Sequence, residues 1–335
     1  MLVPILQFLV CAAVIVVAGT FLSKFADAIA ELTGLGRLLV GSVLLAGATS
    51  LPELTVDISA VRMGAVDLAV GDLIGSCLMN LLILAILDLS HHSNGRMLSK
   101  QAAAHALSGS VSASLICLVA LGLLTSKWIS PYAMMGLSPV IIAIVVAYIL
   151  GVRLVYLDQR IAHRTAVDEG AKPHEVGANL SLGNAVAGFV ACAGVILIAG
   201  PFLAHAADAL ATESGLGGTF VGTTLVAFST SLPELVASLA ALRMGAHDLA
   251  IGNVFGSNAF NMLLLAPLEV IQPGSLFSAV SPNHAITCVA TLLATQVAVM
   301  GQLYQVEKRT RLIEPDALLV ILIVFGALGL VYFCR

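Results

Sequence analysis

The sequence predicts an all-α membrane protein of ten transmembrane helices, arranged as two inverted five-helix repeats with both termini outside. Three observations predict it: composition, a ladder of apolar stretches, and an internal repeat. The 335 residues are 59% hydrophobic and only 10% charged, with mean hydropathy +1.03. Soluble domains carry roughly a quarter charged residues. Apolar runs of about 20 residues, enough to cross a hydrocarbon core of roughly 30 Å, recur along the chain.

Each element follows from its apolar run. Spans are expected near 4–23, 36–63, 67–89, 102–125, 130–154, 181–205, 217–244, 248–271, 282–305 and 315–334. The first has no basic segment before it and leads into further spans, so it reads as a helix and not a cleaved leader. With the N-terminus outside, twelve Lys and Arg fall on cytoplasmic connections (Lys24, Arg37, Arg96, Lys100, Arg153, Arg160, Arg164, Lys172, Arg243, Lys308, Arg309 and Arg311), and three (Arg62, Lys127, Arg335) fall outside. Positive charge stays inside, which sets the orientation as N-out and C-out. A net charge of −4, thinly spread, argues against nucleic-acid binding. The six cysteines form no CxxC pair, and the histidines show no metal-ligand spacing. Disulfide frameworks, zinc sites and an HExxH hydrolase are therefore not suggested. His91-His92 reads as a solvated loop, and His105 and His205 as helical residues with structural roles.

Residues 41–84 align without a gap on 222–265, at a constant offset of 181, with 23 of 44 positions identical. Thr49-Ser50-Leu51-Pro52-Glu53-Leu54 matches Thr230-Ser231-Leu232-Pro233-Glu234-Leu235. Five helices per half, an odd number, turn the second copy upside down, a plan that recurs in secondary transporters with midplane substrate sites. The expected organisation is a first repeat over 1–155, a cytoplasmic linker over 156–179 and a second repeat over 180–335.

The repeat carries the chemistry. A carboxylate near the bilayer centre costs at least ~2.5–3.5 kcal/mol, yet each copy keeps one, Glu53 and Glu234. No basic residue follows in either helix before Arg62 and Arg243. Pro52 and Pro233, read as helix-interior prolines, would free carbonyls around Ala46–Thr49 and Ala227–Thr230. Those carbonyls, the Thr49 and Thr230 hydroxyls and the two carboxylates are hard oxygen ligands suited to Ca²⁺ and Na⁺. Ser50 and Ser231 add neighbouring hydroxyls. In the next helix of each copy, Ser76 with Asn80 and Ser257 with Asn261 point one way at i, i+4 spacing. Gly71 with Gly75, and Gly252 with Gly256, are small-residue pairs that let helices approach closely. Asp57 shares the Thr49–Glu53 stripe, and its counterpart is Ser238. It is read as an accessory group adding charge or a protonatable site to the outward ion path; an Asp hydrogen-bonded to polar neighbours is the competing account. Asp67 and Asp248, at the start of the following helices, read as helix caps.

The segments GATSLPEL–GDLIGSCLMN and FSTSLPEL–GNVFGSNAFN resemble the two alpha-repeats of the calcium/cation antiporter superfamily, closest to its prokaryotic sodium/calcium exchangers. The resemblance implies a core of eight helices with two long, tilted helices, the first and sixth, sliding across it. It implies Ca²⁺ ligands from Glu53, Glu234 and the carbonyls of Thr49 and Thr230. Sodium sites would draw on Ala46, Thr49, Ser76 and Glu53, and on Ala227, Thr230, Ser257 and Glu234, with Asn80 and Asn261 between. The sequence departs from the family pattern at Asn261, where many members have Asp, and at Asp72 and Cys77, which replace asparagines. The expected function is Ca²⁺/Na⁺ antiport by alternating access, with H⁺/Ca²⁺ exchange as the alternative and an ion channel as a further class. Ca²⁺ and Na⁺ would be transported substrates, H⁺ a further candidate; no organic cofactor and no obligate protein partner are expected. The expected location is a prokaryotic inner membrane.

Overall fold

The computed structural model describes residues 2–90, 102–129, 137–168, 180–213, 228–304 and 315–333. In chain order the elements are α1 (Leu2–Thr33), α2 (Arg37–Thr49), α3 (Leu51–Arg62), α4 (Val66–Ser90), α5 (Ala102–Ile129), α6 (Pro139–Asp168), α7 (Leu182–Glu213), α8 (Leu232–Arg243), α9 (His247–Ile271), α10 (Leu276–Ala279), α11 (His284–Tyr304) and α12 (Pro315–Phe333).

Seven of these helices are long and apolar enough to cross a bilayer, and α2 with α3, bent by 43°, makes an eighth span. Helix α12 is apolar but shorter. The expected span 217–244 lies partly outside the described residues, as does the His91-His92 loop. Apolar side chains cover outward faces: Leu6, Leu9 and Val17 of α1 are exposed, as are Ile198 and Phe202 of α7. The protein is an integral, multi-pass membrane protein, since such surface is stable only against lipid tails.

Three expected helix ends move. Helices α1 and α7 are each 32 residues long, well past the expected ends at 23 and 205. Polar residues such as Asp27, Glu31 and Asp208 extend them beyond the apolar run, because helix propensity does not end where hydrophobicity does. Helix α6 continues to Asp168, into the segment assigned to the linker.

The chain divides into two compact units that interleave the sequence halves: 1–52 with 151–257, and 53–150 with 258–335. In the first unit α1 packs along α7 on small residues. A Cβ at Gly188 would strike the Phe25 ring, and one at Gly200 would strike Pro52. Leu22, Ala26, Leu45, Ala185, Ile196, Ala237 and Leu249 form its core. The Ser23 hydroxyl donates to the Ala237 carbonyl at 2.7 Å, tying α1 to α8. Helix α9 lies directly on the α2 backbone. A Cβ at Gly252 would stand 2.6 Å from the Leu38 carbonyl oxygen, and one at Gly256 would overlap the Ser42 main chain. The Gly252/Gly256 pair thus makes the close approach that its spacing predicts. For Gly71 the same Cβ meets only the His284 ring, and no described atom lies within 4 Å of one at Gly75.

In the second unit α4, α5, α6, α9, α10 and α11 surround Leu73, Ile74, Leu115, Ile116, Ile141, Met262, Leu265 and Phe277. Glu269, buried at the end of α9, accepts from the backbone N–H and hydroxyl of Ser138, both at 3.0 Å, and from the Leu276 N–H at 3.3 Å. That carboxylate stitches α9 to the starts of α6 and α10.

Candidate functional site

In both copies the Thr-Ser-Leu-Pro-Glu segment breaks the helix and restarts it. Helix α2 contains a π turn over Gly41–Leu45, and Ser50 leaves the helix at φ −89°, ψ 4°. Ser231 does the same at φ −83°, ψ 4°. The prolines are therefore not helix-interior. They sit in the first turn of α3 and α8, where a missing N–H costs nothing and the fixed φ suits helix initiation. The glutamates follow immediately, so Glu53 and Glu234 each lie in a first helical turn. The exposed N–H groups and positive dipole end there favour a carboxylate. Both are 1% exposed. The break thus sets each buried carboxyl group at the start of a helix.

The carbonyls behave differently from the expectation. Ala46 was expected to offer a freed acceptor, but its carbonyl oxygen accepts from the Ser50 N–H at 3.0 Å and the Thr49 hydroxyl at 3.2 Å. Once the proline lies beyond the break, the turn before it closes normally. Ala227 lies outside the described residues.

In the first unit, the Ser50 hydroxyl donates to Glu234 Oε1 at 3.1 Å. One repeat's motif therefore touches the other's carboxylate. Thr49 Oγ1 stands 3.4 Å from Asn253 Oδ1, and the Asn253 amide donates to Ser238 Oγ at 2.9 Å. Thr230 and Ser231 are buried nearby in sequence, and the hydroxyls of Ser231 and Ser257 make no hydrogen bond.

In the second unit, the hairpin of α3 and α4 carries Glu53, Asp57, Asp72, Ser76 and Asn80. The Ser76 hydroxyl and Asn80 Oδ1 are buried without a hydrogen-bond donor. Asn80 donates instead to Asn258 Oδ1 at 3.0 Å. Both amide atoms of Asn261 are buried without a hydrogen-bond partner of ordinary geometry, and the Cys77 thiol lies beside them. Buried polar atoms almost always find a partner. Such orphaned oxygens, on Ser76, Asn80 and Asn261 in this unit and on Ser257 in the first, are hard donors of the kind that can coordinate cations. Among the described residues no three His, Cys, Asp or Glu side chains cluster as a metal site.

The hairpin turns are alike in the two copies. Gly64 (φ 81°) and Gly245 (φ 76°) end α3 and α8, with Ala65 and Ala246 N–H groups returning to Ala60 and Ala241 carbonyls, both at 2.9 Å. This helix-ending motif favours glycine because only glycine adopts the left-handed conformation without cost. Asp67 does not cap its own helix. It accepts from the Ser281 N–H at 2.6 Å and pairs with His284 at 3.1 Å, fastening the turn to α11. His105 is buried and helical, whereas His205 is helical and exposed.

Sequence reasoning missed two contributors. Asn258 bridges α9 to Cys77 and Asn80, and Glu269 ties three helix ends. The signal for Glu269 was available: at the same 181-residue offset stands Asp88, another acid.

Comparison with known proteins places these features. The sodium/calcium exchanger protein family matches residues 3–157 and 184–333. A putative antiporter, CaxA, from Alkalimonas amylolytica is 27% identical over 274 residues, covering 80% of this chain and 81% of that protein. The sodium/calcium exchanger MaX1 of Methanosarcina acetivorans is 41% identical over 80 residues, 24% of this chain and 23% of that one. A structure of the sodium-calcium exchanger NCX_Mj, soaked with Na⁺ and Ca²⁺, superposes with TM-score 0.71 at 18% identity over 98% of both chains.

Proposed function

The chain belongs to the sodium/calcium exchanger protein family, and from that membership we propose that it exchanges Ca²⁺ for Na⁺ by alternating access. It is a membrane cation antiporter and not a member of an enzyme family. The proposed ion site uses Glu53 and Glu234 with oxygens of Thr49, Ser50, Ser76 and Asn80 from one repeat. Thr230, Ser231, Ser257 and Asn261 come from the other. The proposed topology is two inverted repeats, N-out and C-out, in a prokaryotic inner membrane.

The observation that carries this reading is the state of the small polar groups. Buried Ser76, Ser257, Asn80 and Asn261 each leave an oxygen without a donor, in helices that directly follow the two buried glutamates. A fold that retains such groups sacrifices stability, which is repaid when a cation binds.

The mechanism follows from charge. With both glutamates ionised the empty site carries about two negative charges, and occluding that charge in a low-dielectric interior is very costly. One Ca²⁺ neutralises it, and so do two or more monovalent cations. Occluded states are then reachable only when the site is loaded. Each ion set drives the transition by binding the occluded state better. Obligate exchange results, with no uncoupled leak. The test is uptake of radioactive Ca²⁺ by proteoliposomes under separate Na⁺, K⁺ and proton gradients. Uptake that follows the Na⁺ gradient supports the proposal; uptake that follows only the pH gradient replaces it with proton/calcium exchange.

A further inference from the structure

The second repeat shows how two positions on the hairpin face each other. The Asn253 amide donates to Ser238 Oγ across α8 and α9 at 2.9 Å. At the constant offset of 181 these positions correspond to Asp57 and Asp72. Where one copy has a neutral hydrogen-bonded pair, the other therefore has two carboxylates.

The structure of α3 and α4 agrees. Asp57 lies seven residues before Gly64 and Asp72 eight after it, on the two arms of the same hairpin. Asp57 is 1% exposed, Asp72 is half-buried, and Oδ2 of each is sealed from solvent without a hydrogen-bond partner. Two ionised carboxylates cannot share a buried rung of hydrogen-bond length, because both only accept. At the spacing of the Asn253–Ser238 pair, something positive has to lie between two such carboxylates. A rung that closes at 2.9 Å in the sister copy matches an O–H···O bond of about 2.5–3.0 Å and leaves little room for a metal ion with its own bond to each oxygen.

We infer that Asp57 and Asp72 form a proton-binding dyad, one turn from Glu53 along the same helix, whose proton is released when a cation binds at Glu53. The dyad rests on the proposed cation site only for this coupling. Without a cation at Glu53, its negative charge favours keeping the proton on the dyad. A bound cation cancels that field, and the dyad ionises more readily. A proton would thus be an additional exchanged ion, entered through the first repeat alone. The other ionisable groups on the hairpin are Arg62, Asp67, Cys77 and Asp88. Those on α11 and α12, which pack against it, are His284, Cys288 and Asp316, and the stretch of α9 bonded to it through Asn258 carries Glu269. His284 is engaged by Asp67.

Two measurements on the purified full-length protein decide the matter. Infrared difference spectroscopy across neutral pH should show a protonated-carboxyl band in the wild type. That band should be lost in D57S/D72N, which writes the second repeat's own pair into the first, and in the more conservative D57N. A dye-reported proton release on Ca²⁺ addition, normalised to Ca²⁺ bound, should fall by one equivalent in both variants. A carboxyl band and a normalised proton release unchanged in both variants would overturn the dyad. A wild type that binds no Ca²⁺ would instead defeat the cation site, while the infrared band would still judge the dyad.

Discussion

Asn258 and Cys77 exchange hydrogen bonds across α9 and α4: the Asn258 amide donates to the Cys77 carbonyl at 3.1 Å, and the Cys77 thiol points back at the Asn258 carbonyl at 3.6 Å. These are equivalent positions of the repeat, separated by the offset of 181. The two equivalent positions thus bond to each other's backbone carbonyls. Asn258 also receives the Asn80 amide. Replacing Asn258 by Ala should therefore destabilise by about 2–4 kcal/mol, since it strands Asn80 as well as the Cys77 carbonyl. Cys77→Ser should cost under about 1 kcal/mol, because a hydroxyl can make the same bond. Thermal unfolding in detergent checks both.

The carboxylates themselves should be indispensable to transport and dispensable to folding. Glu53→Gln and Glu234→Gln keep shape but remove a charged oxygen ligand. A loss near 3 kcal/mol per charged ligand lowers Ca²⁺ affinity about a hundredfold. The Ser50–Glu234 bond survives in an amide, so the thermal midpoint should hold. Radiolabelled Ca²⁺ binding measured beside the melting curve separates the two effects.

The orphaned hydroxyls should behave in the opposite way from ordinary buried serines. Ser76→Ala and Ser257→Ala remove groups that make no hydrogen bond, so stability should stay level or rise by up to about 1 kcal/mol. Half-saturation for Na⁺ should nonetheless shift upward several-fold. A stability loss without a change in Na⁺ dependence would make these hydroxyls structural.

The α2–α9 contact should tolerate no side chain. A methyl group at Gly252 or Gly256 meets backbone of Leu38 and Ser42, which cannot rotate away. Gly252→Ala and Gly256→Ala should each cost more than about 2 kcal/mol and lower the yield of folded protein. Gly75→Ala should be mild.

Much of this was legible in the sequence, and for a physical reason. The duplication displays paired acids, hydroxyls and glycines at fixed spacing, and hydrocarbon-length runs announce the helices. What escaped was anything set by a partner not adjacent in sequence. Pro52 looks like a helix-interior kink until Ser50 is seen leaving the helix two residues earlier, which moves both prolines and both glutamates into first turns. The Ala46 carbonyl looks free until the Ser50 N–H is placed on it. Asp67 looks like a cap until Ser281 and His284 arrive from α11. Helix ends beyond the apolar run, as in α1 and α7, carry no hydrophobic signal at all.

The most direct test of exchange is Na⁺ efflux from loaded proteoliposomes with and without external Ca²⁺. The account predicts efflux that requires Ca²⁺ outside, matches Ca²⁺ entry, and vanishes in Glu53→Gln. Rapid Na⁺ loss into a medium free of any counter-ion would contradict it.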